Sequence, residues 1–100
     1  MLLFRKEYYE KIRNGSKITT LRFWKSRRVK PGSIHKVPHL GKLKIISVEN
    51  ISLDSIDDSD AQDDGFSCAS ELVTAIDKLY PPDLRDDRKL YKVQFEYIDQ

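Results

Sequence analysis

Between Gly15 and Arg28 the chain reads GSKITTLRFWKSRR, which crowds Lys17, Thr19, Thr20, Arg22, Trp24, Lys25, Arg27 and Arg28 into fourteen positions. Three kinds of chemistry suit these residue types. Arginine and lysine neutralise phosphates, and an exposed tryptophan stacks on a base in a sequence-tolerant way worth about 1 to 3 kcal/mol, so the stretch fits a groove for RNA. A lysine and two hydroxyls this close together also fit a small active site. The third reading is structural: Trp24 caps the core, and its basic neighbours keep an edge strand soluble.

The whole chain narrows the setting. One hundred residues, 39% hydrophobic and 34% charged, make one globular domain over residues 1–100 with a single core. Only Met-Leu-Leu-Phe precedes Arg5 and Lys6, and no run approaches the roughly 20 apolar residues of a membrane span, so a cytoplasmic protein with no membrane partner is expected. The lone Cys68 supports no disulfide framework, and with His35 and His39 it gives no zinc spacing, so no metal is expected. The net charge of +2 hides a division. Met1 to Lys44 holds thirteen Lys/Arg against two Asp/Glu, and Ile45 to Gln100 holds five against fourteen. The basic half attracts anions if it stays clustered in the fold.

Several elements must position the basic stretch. Arg5 to Asn14 has helical spacing and stops at Asn14-Gly15, and Leu2 to Phe4 is a short apolar run that suits a strand. Thr19 to Phe23 alternates, with Thr19, Leu21 and Phe23 on the inward face and Thr20, Arg22 and Trp24 on the other. Ser33 to Val37 and Lys42 to Leu53 read as further strands. Asp54 to Asp64, with six aspartates, reads as a short helix or turn with a solvated face that ends at Gly65. Ser67 is placed to cap a helix over Cys68 to Tyr80 with an apolar stripe of Leu72, Val73, Ile76, Leu79 and Tyr80. Lys89 to Ile98 closes the chain as a strand that buries Tyr91, Val93, Phe95 and Tyr97 on one face. The fold class is α+β, with a curled sheet closing into a small β-barrel flanked by two or three helices.

The ordered set Ile12-x-x-Gly15-x-Lys17-x-x-Thr20-x-Arg22, Lys30-Pro31-Gly32, Lys44-Ile45-Ile46-Ser47-Val48, Asp64-Gly65-Phe66 and the helix ending at Tyr80 resembles the ASCH domain of the PUA-like superfamily. The resemblance implies a PUA-like barrel with a cleft for RNA or modified nucleosides. In small bacterial N4-acetylcytidine amidohydrolases of this family the matching positions hold a lysine base, a threonine nucleophile and a carboxylate proton donor, which would be Lys17, Thr20 and Asp64. Those enzymes carry Glu at the acid position; Asp64 is shorter by one methylene. The chemistry is reasonable, because a threonine hydroxyl needs a neighbouring base and lysine serves as one only when desolvation or nearby cations lower its pKa.

The first function expected is therefore binding of RNA or a modified nucleoside, with Lys17, Thr19, Arg22, Trp24, Lys25, Arg27 and Arg28 as contacts. The alternative is N4-acetylcytidine hydrolysis by Lys17, Thr20 and Asp64. A third reading is a transcription-associated interaction module, since ASCH domains occur within larger coactivators. None of these calls for a cofactor, and the oligomeric state is left open.

Overall fold

The computed structural model describes residues 2–98. The first helical stretch is split into a 3-10 turn, Lys6–Tyr8, and a short α-helix, α1, Tyr9–Arg13. Gly15 ends it with φ of 82°, a left-handed conformation that an L side chain rarely adopts, while the Asn14 side chain accepts the Ser16 N–H at 2.8 Å. Strands β1 (Thr19–Trp24), β2 (Ile34–Val37), β3 (Gly41–Ile51) and β4 (Lys89–Ile98) form one antiparallel sheet in the order β1-β4-β3-β2. Helices α2 (Asp58–Asp63) and α3 (Ala69–Leu79) lie between β3 and β4 in the chain.

The sheet is half a barrel, which corrects the expected closed form. Closure needs more strands than these four, and Leu2 to Phe4 does not become a fifth. Leu2 is instead buried in the core, and the Leu3 carbonyl accepts a hydrogen bond from Arg22 of β1 at 2.5 Å. The N-terminal run is thus a strap across the end of the sheet.

Each face of the sheet has its own core. Trp24, Leu43, Ile45, Tyr91, Val93 and Phe95 pack with Leu2, Ile12 and Leu40 on one side, as the alternation of β4 requires. Leu21, Phe23 and Leu90 pack with Ala61, Leu72 and Ile76 of α2 and α3 on the other. β1 is therefore buried on both faces. A strand at the end of a sheet is normally half-wet, but here the strap and α1 cover one side and the helices cover the other.

The aspartate run is more than a solvated face. Asp57 and Asp60 form a reciprocal capping box at the start of α2, and Lys92 of β4 donates to Asp60 Oδ1 at 2.9 Å, which fastens the helix to the sheet. Asp58 Oδ1 accepts the Ala69 N–H at 2.8 Å, at the start of α3. Cys68, not Ser67, occupies the N-cap position of α3, while the Ser67 N–H is satisfied by Glu71 Oε1 at 2.9 Å.

Candidate active site

Two backbone hydrogen bonds clamp the residues just before β1. The Lys17 N–H donates to the Lys11 carbonyl at 3.0 Å, and the Ile18 N–H donates to the Asp63 carbonyl at 2.7 Å. The end of α1 and the end of α2 thereby meet on either side of Lys17, and Asp64 at the C-terminus of α2 lands beside it. Lys17 Nζ donates to the Asp64 backbone carbonyl at 2.9 Å and forms an ion pair with Asp64 Oδ1. Both residues are buried, at 4% and 3% exposure. The Tyr8 ring faces the same ammonium, with its centroid 5.1 Å from Nζ.

Gly65 is the residue that lets the two ends come this close. Its φ is 94°, and a Cβ there would lie 3.3 Å from Lys11 Cδ and 3.5 Å from Lys17 Cβ. Gly65→Ala is expected to lower stability by about 1 to 3 kcal/mol through backbone strain, read as a fall in urea midpoint with an unchanged slope.

On the strand itself, Arg22 organises Thr20. Arg22 Nε donates to Thr20 Oγ1 at 3.0 Å, which uses an oxygen lone pair and leaves the hydroxyl hydrogen available. The same guanidinium lies over the Phe4 ring at 5.1 Å and holds the strap through Leu3. Lys17, Thr20, Arg22 and Asp64 all line one cavity of about 410 Å³, whose other walls include Leu3, Phe4, Tyr8 and Phe66 on one side and Leu72, Ile76, Leu79 and Tyr80 on the other. That volume lies in the range of small-molecule sites.

Burial dominates the electrostatics. Desolvation pushes the Lys17 pKa below the ordinary lysine value of 10.5, and Arg22 and Lys11 push it the same way, against the pull of Asp64. Desolvation pushes the Asp64 carboxyl above 3.8, against Lys17 and Arg22. Both shifts favour uncharged forms, so amine plus carboxylic acid lies closer in energy to the ammonium–carboxylate pair than it does in water. The effect on stability follows from proton counts. Between the folded Lys17 pKa and 10.5 the unfolded chain holds more protons, so stability rises with pH. Between 3.8 and the folded Asp64 pKa the folded chain holds more protons, so stability rises as pH falls. In the range between, the buried pair weighs against folding.

The stretch read first in the sequence is therefore divided. Lys17, Thr20 and Arg22 reach the cavity with Asp64, whereas Thr19, Trp24, Lys25, Arg27 and Arg28 do not line it. Trp24 is not the exposed stacking residue that was expected: it is 8% exposed and packs on Tyr91 with ring centroids 5.7 Å apart. Thr19 is buried as well. Lys25, Arg27 and Arg28 are exposed in the loop after β1, where Lys25 pairs with Asp87 at 3.4 Å. Tyr8 and Phe66 line the cavity although sequence reading gave them no role in the site; Tyr8 had only helical spacing, and Phe66 only its place in the Asp-Gly-Phe turn. Leu79, read as part of the α3 core stripe, is 43% exposed at the cavity wall.

Among the described residues no helix is long and apolar enough to cross a membrane, and no group of three or more His, Cys, Asp or Glu is placed to hold a metal ion. No protein-family model matches the sequence, and no curated protein matches it. Solved structures do match. The hypothetical protein PH0355 superposes with a TM-score of 0.80 at 21% identity, over 96% of this chain and 95% of that one. An ASCH domain from Lactobacillus crispatus JV V101 superposes with a TM-score of 0.76 at 14% identity, over 89% and 69%. Protein EF3133 from Enterococcus faecalis V583 gives 0.68 at 18% identity, over 93% and 71%. At these identities the likeness is one of architecture: the half-barrel fold is shared with these three structures, an ASCH domain among them.

Proposed function

We propose that the cavity binds a modified nucleoside and hydrolyses an N-acyl amide on its base, with N4-acetylcytidine as the first substrate to test. The observation that carries this reading is the buried Lys17–Asp64 pair lining the same cavity as Thr20. A buried ion pair is a poor way to gain stability, since apolar residues of similar volume do as well or better. Its presence at the wall of a nucleoside-sized cavity beside an oriented hydroxyl is better explained by chemistry. The buried acid–base pair favours hydrolysis over binding alone.

The reaction balances on these residues alone. Lys17, as the amine, takes the Thr20 hydroxyl proton while Oγ1 forms a bond to the acyl carbon. Arg22, which donates to Oγ1, supplies a cation for the oxyanion that develops. Asp64, as the acid, protonates the exocyclic nitrogen, the C–N bond breaks, and cytidine leaves the acyl group on Thr20. Water then attacks the ester, giving a proton to the Asp64 carboxylate while Lys17 returns its proton to Oγ1 as the acyl–oxygen bond breaks, so that acetic acid leaves and the hydroxyl, amine and acid are restored.

The direct test is release of cytidine from N4-acetylcytidine by purified protein, followed by chromatography, beside a Lys17→Ala control. No release by the wild type, or equal release by the variant, would remove the proposal. The pH profile is a further expected result. Amine plus acid carries the same number of protons as the ion pair, so activity forms a plateau bounded by gain of a second proton and loss of the only one. The alkaline limb should lie below 10.5 and the acid limb above 3.8. In Asp64→Asn the residual activity should instead rise with pH, because Lys17 must then lose its proton to act as a base.

RNA binding through Lys25, Arg27 and Arg28 is a second reading, favoured by their exposure on one loop. It lacks the stacking contribution expected of Trp24.

A further inference from the structure

Away from the cavity, one end of a sheet face is left uncovered by the other described residues. In β2 and β3, Ile34 lies opposite Lys44 and Lys36 opposite Lys42; in β4, Glu96 lies opposite Lys44 and Ile98 opposite Lys42. Opposed residues of an antiparallel pair share a face, so these side chains form one surface, with Leu43 and Ile45 turned to the core behind it. The irregular register between Ile45 and Ser47 leaves Ile46 exposed at the same end. Ile34 is 59% exposed and Ile46 43%, while Lys36, Lys42 and Lys44 are exposed throughout. Helices α2 and α3 cover only the other end of this side of the sheet, around Leu21, Phe23 and Leu90.

Only part of this composition serves the fold: Lys44 opposite Glu96 is a favourable cross-strand pairing. Lys36 directly opposite Lys42 is a repulsive cross-strand pair, and among the described residues none of the three lysines forms an ion pair. Protection of an exposed edge explains Lys36 on β2 but not Lys42 and Lys44, because β3 is an interior strand. Along β3 the two lysines are about 7 Å apart, and Lys36 is about 5 Å across from Lys42. We propose that this face is a docking surface for single-stranded nucleic acid, with Lys36, Lys42 and Lys44 contacting consecutive phosphates and Ile34 and Ile46 lying under the bases. Three exposed point cations on one sheet face suit a flexible polyanion, and lysine neutralises phosphate as a point charge without demanding bidentate geometry. The face has no aromatic side chain and little that could read a base edge, so binding is sequence-tolerant. The proposal does not depend on hydrolysis in the cavity.

The test is fluorescence anisotropy with a labelled oligouridylate twelve-mer over a range of salt concentrations. Three phosphate contacts predict a slope of log K against log salt near −2, at about −0.7 per contact. Lys36→Gln/Lys42→Gln/Lys44→Gln should bring that slope close to zero and weaken binding at low salt, while its circular dichroism and urea midpoint stay near wild type because all three residues are exposed. Arg27→Gln/Arg28→Gln should leave most of the slope intact. An unchanged slope in the triple variant, loss of the slope in the Arg27/Arg28 variant alone, or equal competition by a poly-glutamate peptide of matched charge would overturn the proposal.

Discussion

Thr20→Val is expected to abolish amide hydrolysis while leaving the cavity able to bind. Valine keeps the branched shape on a strand that is buried on both faces, so the change removes a hydroxyl and little else. If Oγ1 is the atom that attacks the acyl carbon, kcat should fall by a factor on the order of 10³ or more with KM nearly unchanged, as expected when a nucleophile is lost and binding is kept. Thr20→Ser should stay within about tenfold of wild type, because the hydroxyl and its hydrogen bond from Arg22 survive. Valine leaves Arg22 Nε without its acceptor, which adds a stability loss of about 1 to 3 kcal/mol, visible in urea titration but too small to unfold a typical domain. Retention of more than about a tenth of the wild-type rate in Thr20→Val would show that the hydroxyl is not the nucleophile, whatever else the cavity does.

The parts of the site that were legible in the sequence are those fixed by local periodicity. Thr20 and Arg22 are two apart on a strand, so their shared face followed from alternation alone, and Asn14-Gly15 fixed where α1 ends and the approach to Lys17 begins. Trp24 shares that face too, yet it lies in the core. Alternation identifies which residues travel together but not whether a second layer covers them. Here the strap that carries Leu2 adds that layer. The strap also explains the barrel that does not close, since a three-residue apolar run has no internal signal distinguishing a strand from a core anchor. Asp64 carries no local signal of its own beyond the family resemblance, since an aspartate before a glycine suits any turn. Its place beside Lys17 depends on the local Asp57–Asp60 capping box and the left-handed Gly65, and on two contacts between distant parts of the chain, the Lys92 tether to Asp60 and the Ile18 N–H on the Asp63 carbonyl. Tyr8 and Phe66 come from different elements and meet only in the folded cavity.

The Lys17–Asp64 pair gives the other large expected effect, and it separates structure from chemistry. Lys17→Met leaves a buried carboxylate without its ion-pair partner, and Asp64→Leu leaves a buried ammonium without its own, so each should lower stability by about 3 to 5 kcal/mol. Both residues are nearly sealed from solvent, so water cannot readily replace the missing partner. The double variant Lys17→Met/Asp64→Leu has no charge to desolvate, and similar volume fills the space. Urea denaturation should find it at least as stable as wild type, by up to about 4 kcal/mol, and the pH dependence of stability contributed by the pair should vanish. Hydrolysis should be absent in all three variants. A double variant as unstable as the singles would mean that the pair is needed for packing, and the argument that its presence reflects chemistry would fail. A stable, inactive double variant would show that the ion pair weighs against folding and is kept for the proton it can move between lysine and aspartate.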